Sequence, residues 1–121
     1  MSKRVLVVED QEDNRKIIRD LLTASGFEVI EAETGDEGVA AAAREKPDLI
    51  LMDIQLPGLD GYEATRQIKA NPELKKTPVI AVTSYALSGD DKKAFAAGCD
   101  GYVTKPFSPR ELLQKIREYL G

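Results

Sequence analysis

Asp48-Leu49-Ile50-Leu51-Met52-Asp53, running on into Ile54-Gln55-Leu56-Pro57-Gly58, is the stretch on which the fold turns. Four consecutive apolar residues stand between two aspartates, and Pro57 and Gly58 close the segment. A run this short, apolar without alternation, reads as a strand over residues 48–53 that is buried on both faces. Such a strand needs helices above and below it, which points to a parallel sheet. Asp53 then lies at the C-terminal edge, where open α/β sheets gather ligands. The plainer alternative is that Asp53 caps the turn that follows.

The same pattern repeats on either side of this strand. Residues 4–8 (Arg-Val-Leu-Val-Val) form a β-branched run ending in Glu9-Asp10. Asn14 is the expected helix cap, and Ile17, Ile18, Leu21 and Leu22 recur at helical spacing until Ser25-Gly26. Residues 27–30 alternate as a second strand, less apolar and so placed at an edge. A helix from residue 37 to about 44 follows and stops at Lys46-Pro47. Beyond the central strand come a helix over residues 61–70, a strand over 78–83, and a turn with Ser88-Gly89-Asp90. The fourth helix has only Phe95 and alanines as apolar content, and a strand over residues 102–105 follows it. The last helix aligns Leu112, Leu113, Ile116, Tyr119 and Leu120 on one stripe. Strand and helix alternate five times, which predicts a flavodoxin-like (βα)5 α/β sandwich. Its parallel sheet takes the order 2-1-3-4-5, with a switch point between strands 1 and 3.

Composition narrows the function. The 121 residues are read as one domain, 1–121, and 42% hydrophobic content is enough for a core. With 21 acidic and 17 basic residues the net charge is −4, which argues against a nucleic-acid partner. No apolar run approaches the roughly 20 residues of a membrane span. A single cysteine, Cys99, and an N-terminus that passes straight into a strand lead to a cytoplasmic expectation. The absence of histidine removes Ser-His-Asp and Cys-His catalysis and the usual zinc sites.

The strand ends carry the chemistry that remains. Strand 1 supplies Glu9 and Asp10, strand 3 Asp53, strand 4 Thr83 and strand 5 Lys105. Three carboxylates in one crevice raise each other's pKa unless a cation joins them. An all-oxygen set favours a hard cation, Mg²⁺ before Ca²⁺. Lys105 and Thr83 suit phosphoryl oxygens, although Lys105 could equally serve only to neutralise the acidic cluster and Thr83 only to extend its strand. No nucleotide-binding glycine loop is present, and the acidic segment after strand 1 repels a phosphate cofactor, so a phosphoryl group must be brought by another molecule.

These residues give the chain a family likeness. It resembles, over its whole length, the receiver domain of two-component response regulators. The matching motifs are Val7-Val8-Glu9-Asp10, residues 51–61 from Leu-Met-Asp53 to Asp60-Gly61, residues 79–84 with Thr83-Ser84, and Tyr102-Val103-Thr104-Lys105-Pro106-Phe107. The resemblance implies a phosphorelay switch rather than a turnover enzyme, with Asp53 as phosphoacceptor from a phosphohistidine. It implies Mg²⁺ held by Asp10, Asp53 and the Gln55 backbone carbonyl, with Glu9 acting through water. It implies Lys105 on the phosphoryl oxygens, a cis bond to Pro106, slow autodephosphorylation tuned by Gln55 and Tyr85, and a Thr83–Tyr102 switch pair. For Tyr102 the alternative is an ordinary half-buried strand aromatic.

The expected moving part is the segment from Thr83 to Asp90. The expected readout surface is the face of the fourth helix, fifth strand and last helix. The donor is a histidine kinase or a histidine phosphotransfer protein, and Arg15, Lys16 and Arg19 offer it a basic face unless they are merely solvated. The chain is expected to signal by contact, as a monomer or a phosphorylation-dependent dimer, whether it is a single-domain regulator or a receiver excised from a hybrid kinase. Two other readings compete. One is a Mg²⁺-dependent aspartyl-phosphate phosphohydrolase, disfavoured because Gln55 stands where such enzymes carry a second carboxylate. The other is an unphosphorylated docking module, disfavoured by the intact acidic set.

Overall fold

Among the described residues, five strands alternate with five helices in a computed structural model that describes residues 2–83 and 90–120. The strands are β1 (Arg4–Val8), β2 (Glu28–Ala32), β3 (Leu49–Asp53), β4 (Val79–Thr83) and β5 (Gly101–Thr104). They pair in parallel in the order β2-β1-β3-β4-β5, the flavodoxin-like arrangement that the sequence predicts. The helices are α1 (Glu12–Ala24), α2 (Gly35–Glu45), α3 (Gly61–Ala70), α4 (Asp90–Ala97) and α5 (Pro109–Leu120).

Strand alternation sorts the core into two layers. On one face Val5, Val7, Leu49, Leu51, Ile80 and Val82 pack with Ile18 and Leu22 of α1 and with Leu112 and Ile116 of α5. On the other, Leu6, Val8, Ile50, Met52, Val79 and Ala81 meet the alanines of α2 together with Ala64 and Ile68 of α3. All five residues of β3 are buried, as a central strand requires. Each fully buried Leu or Ile contributes about 1.5–3 kcal/mol of transfer free energy, so this strand anchors both layers at once.

Several boundaries and faces differ from the expectation. Gln11, not Asn14, precedes α1, and its side chain makes no capping bond; Asn14 sits inside the first turn and donates to Gln11 Oε1 at 3.1 Å. Glu12 and Asp13 favour that early start by complementing the helix dipole. β2 runs to Ala32, two residues further than its apolar pattern suggests, because Glu31 and Ala32 pair with Val7 and Val8. α2 starts at Gly35, where Thr34 Oγ1 accepts from Glu37 N at 3.1 Å. Ile17 is 61% exposed and Phe95 50%, so neither belongs to the core stripe of its helix. Tyr119 lies at the rim of α5, donating its hydroxyl to the Asp100 carbonyl at 2.6 Å. The turn around Ser88-Gly89, Ser84 and Tyr85 lie outside the described residues. Of the segment expected to move, Thr83 and the start of α4 are described.

Candidate functional site

Register decides which side chains meet at the C-terminal edge. Val8 pairs with Met52, so the chain leaving β1 brings Glu9 alongside Asp53. Asp53 pairs with Val82, and Thr83 follows as the last residue of β4. Thr83 pairs with Thr104, and Lys105 comes next, its N–H donating to the Thr83 carbonyl at 2.6 Å. Its bond to Pro106 is cis.

The side chains converge accordingly. Lys105 Nζ lies 3.0 Å from Glu9 Oε1 and 3.5 Å from Asp53 Oδ2. Asp53 Oδ1 accepts from the Gln55 N–H at 2.9 Å, which ties the carboxylate to the turn after β3. Glu9, Asp53 and Thr83 are buried, whereas Asp10 is exposed at the mouth. Tyr102 sits partly buried one strand away, paired in register with Ala81. Gly61 closes the floor: a Cβ there would run into the Asp53 carbonyl oxygen and approach Ile54 Cα to 2.7 Å. The start of α3 therefore packs directly against the backbone of Asp53 and Ile54, with the Asp60 side chain capping the helix through Glu63 N at 2.9 Å.

The electrostatics are those of a crowded acidic pocket. Burial pushes the Glu9 carboxyl up from 4.5 to about 7, the neighbouring Asp53 carboxylate pushes the same way, and Lys105 opposes both. Among the described residues, Glu9 Oε2 is buried without a hydrogen-bond partner. Oxygens of Glu9, Asp10 and Asp53 lie within 4.8 Å of one another. An orphaned buried carboxylate oxygen within such a cluster fits a hard divalent cation.

Not every candidate behaves as its position in the sequence suggests. Arg15, read as part of a basic docking face, is buried and is bonded to Glu31, Glu33 and the Glu9 carbonyl. Arg19 pairs with Glu31 and Lys16 with Asp20, so the basic face of α1 is largely spent within the molecule. The sign of this was in the sequence: Glu31 and Glu33 alternate about Ala32, which puts both carboxylates on one side of the chain at the end of β2. Beside Lys105 there is instead an apolar groove lined by Ile17, Ile18, Pro106 and Phe107.

The chain is similar to known proteins over nearly its whole length. The model of the response regulator receiver domain matches residues 5–117. The polar-differentiation response regulator DivK of Brucella ovis is 46% identical over 121 residues, covering 100% of this chain and 98% of its own length. The receiver domain of the sensor histidine kinase PA1611 from Pseudomonas aeruginosa PAO1 superposes with a TM-score of 0.93 at 38% identity. That match covers 100% of this chain and 99% of the other, and its structure holds a magnesium ion coordinated in the active site cleft. The chemotaxis protein CheY4 of Vibrio cholerae has a TM-score of 0.94 at 28% identity, covering 98% of this chain and 99% of its own. Among the described residues no helix is long and apolar enough to cross a membrane.

Proposed function

The chain belongs to the response regulator receiver domain family, and from that premise we propose that Asp53 is the phosphoacceptor of a Mg²⁺-dependent signalling switch. The observation that carries this reading is Lys105 Nζ set between Glu9 Oε1 and Asp53 Oδ2, two members of a group of three carboxylates that Asp10 completes. Glu9, Asp10 and Asp53, with the backbone carbonyl of Gln55, would hold Mg²⁺. When bound, the ion supplies positive charge that neutralises the carboxylates and the transferring phosphoryl group. A carboxylate oxygen of Asp53 attacks the phosphorus of a phosphohistidine on a histidine kinase or phosphotransfer protein. The new O–P bond forms as the N–P bond breaks, and the electron pair returns to the imidazole nitrogen.

The residues around Asp53 each have a task in that step. Burial keeps bulk water from the carboxylate, while the Gln55 N–H holds one of its oxygens and so orients the other. Lys105 supplies a cation to the phosphoryl oxygens, its backbone fixed by the Thr83 carbonyl. The donor docks over the apolar groove of Ile17 and Phe107, which opens beside Lys105. Phosphorylation adds negative charge and strong acceptors beside Thr83. Its hydroxyl turns to the phosphoryl group, Tyr102 moves inward, and the change is read on the α4-β5-α5 face.

The test uses the protein with MgCl2 and acetyl phosphate, followed by intact mass and released phosphate. One labile phosphoryl adduct, which does not form when Mg²⁺ is chelated beforehand, supports the switch. Rapid steady hydrolysis of the donor overturns it in favour of a phosphohydrolase, and the absence of any adduct in favour of a docking module.

A further inference from the structure

Arg15 is a buried cation that phosphoryl chemistry at Asp53 does not explain. Its side chain is 9% exposed, and each of its three guanidinium nitrogens is used. Nε donates to Glu31 Oε1 and Nη2 to Glu33 Oε1, both at 3.1 Å, and Nη1 donates to the Glu9 carbonyl at 3.0 Å. Glu31 is itself gripped by Arg19 Nη1 at 3.0 and 3.1 Å. The Glu9 N–H donates to the Ala32 carbonyl at 3.0 Å. Both polar groups of the Glu9 backbone are therefore tied to the end of β2, one directly and one through Arg15.

A buried guanidinium is unfavourable unless it is paired, so this arrangement holds one geometry and resists others. Glu31 and Glu33 sit two residues apart at the edge of the sheet, on the side that α1 covers, and they aim the fork. The fork then fixes the peptide from which Glu9 and Asp10 project. We propose that Arg15 is a positioning residue for the divalent-cation site: with Glu31 and Glu33 it holds the Glu9 backbone so that the Glu9 and Asp10 carboxylates stand ready for the ion. This rests on the reading of Glu9, Asp10 and Asp53 as Mg²⁺ ligands.

The sign of the effect separates positioning from plain charge. Arg15 is a cation near a cation site, so on Coulomb grounds its removal tightens Mg²⁺ binding. A positioning role predicts the reverse. Titration of the full chain with MgCl2 by calorimetry, with the amide resonances of Asp10 and Asp53 followed in parallel, gives the readout. Arg15→Ala is expected to weaken Mg²⁺ binding about tenfold, in the range seen when partners of metal ligands are removed. Arg15→Lys, which keeps a donor for the Glu9 carbonyl, is expected to recover part of that loss. Lys16→Ala on the same helix is expected to change nothing.

Folded Arg15→Ala with unchanged or tighter Mg²⁺ binding overturns the proposal. If Arg15→Ala does not fold, Arg15→Met decides, because it keeps the length of the stem and removes the charged fork. Unchanged or tighter Mg²⁺ binding there overturns the proposal, whereas weakening by several-fold supports it. If the unmodified protein binds no Mg²⁺, it is the reading of the carboxylates as a metal site that falls.

Discussion

Glu9 shows how one side chain can report the state of the whole pocket. Its carboxyl binds a proton more tightly in the folded protein, at about 7, than at its ordinary value of 4.5. The stability this contributes is fully present below about pH 4.5 and is lost as pH rises through about 7. Without a divalent cation, the urea midpoint is therefore expected to fall between those values, and Glu9→Gln to flatten that slope. Mg²⁺ reverses the cause by attracting the ionised form, so the midpoint increase produced by MgCl2 is expected to grow as pH rises. At Asp53 the prediction is chemical. Asp53→Asn keeps the shape of the side chain and removes the nucleophile, so intact mass after acetyl phosphate treatment is expected to show no adduct. An adduct that persists in this variant would place phosphorylation elsewhere.

The β3-α3 pair sets the precision of the site at the level of elements. β3 delivers Asp53, and the start of α3 presses against its carbonyl at Gly61, where only a hydrogen fits. Gly61→Ala is expected to cost about 1–3 kcal/mol in urea denaturation, because the helix must retreat from a backbone atom that cannot yield. Gln67→Ala, on the exposed side of α3, is expected to stay within about 0.5 kcal/mol. Element identities were readable from the sequence because each apolar run had one workable period. Boundaries were less readable. β2 gained Glu31 and Ala32 through pairing with β1, and α1 began before Asn14, since both limits depend on partners distant in sequence.

β3 belongs to both hydrophobic layers, which ties the molecule together. Leu22 on one side of the sheet and Ile68 on the other are fully buried. Truncating either to Ala is expected to remove about 2–5 kcal/mol, and the double variant to lose about the sum, since the two sites share no contact. Far-UV circular dichroism and a probe on each face are expected to give one coincident transition. Two separated transitions would show that the layers fold independently.

The strand order, the switch point and the five strand-end residues followed from the sequence, because a parallel sheet buried on both faces admits few topologies and puts its chemistry at one edge. Asp53, Glu9, Asp10, Thr83 and Lys105 are legible in the sequence, since each stands within two residues of the end of an apolar run. Arg15 could not be assigned that way. As a charged residue near the start of a helix it read as part of a basic docking face or as merely solvated. Only tertiary structure brought the end of β2 over α1 and set Glu31, Glu33 and the Glu9 carbonyl around it. Local pattern reveals which residues are apolar and where strands end. Whether a charge is buried depends on which segments, far apart in sequence, close over it.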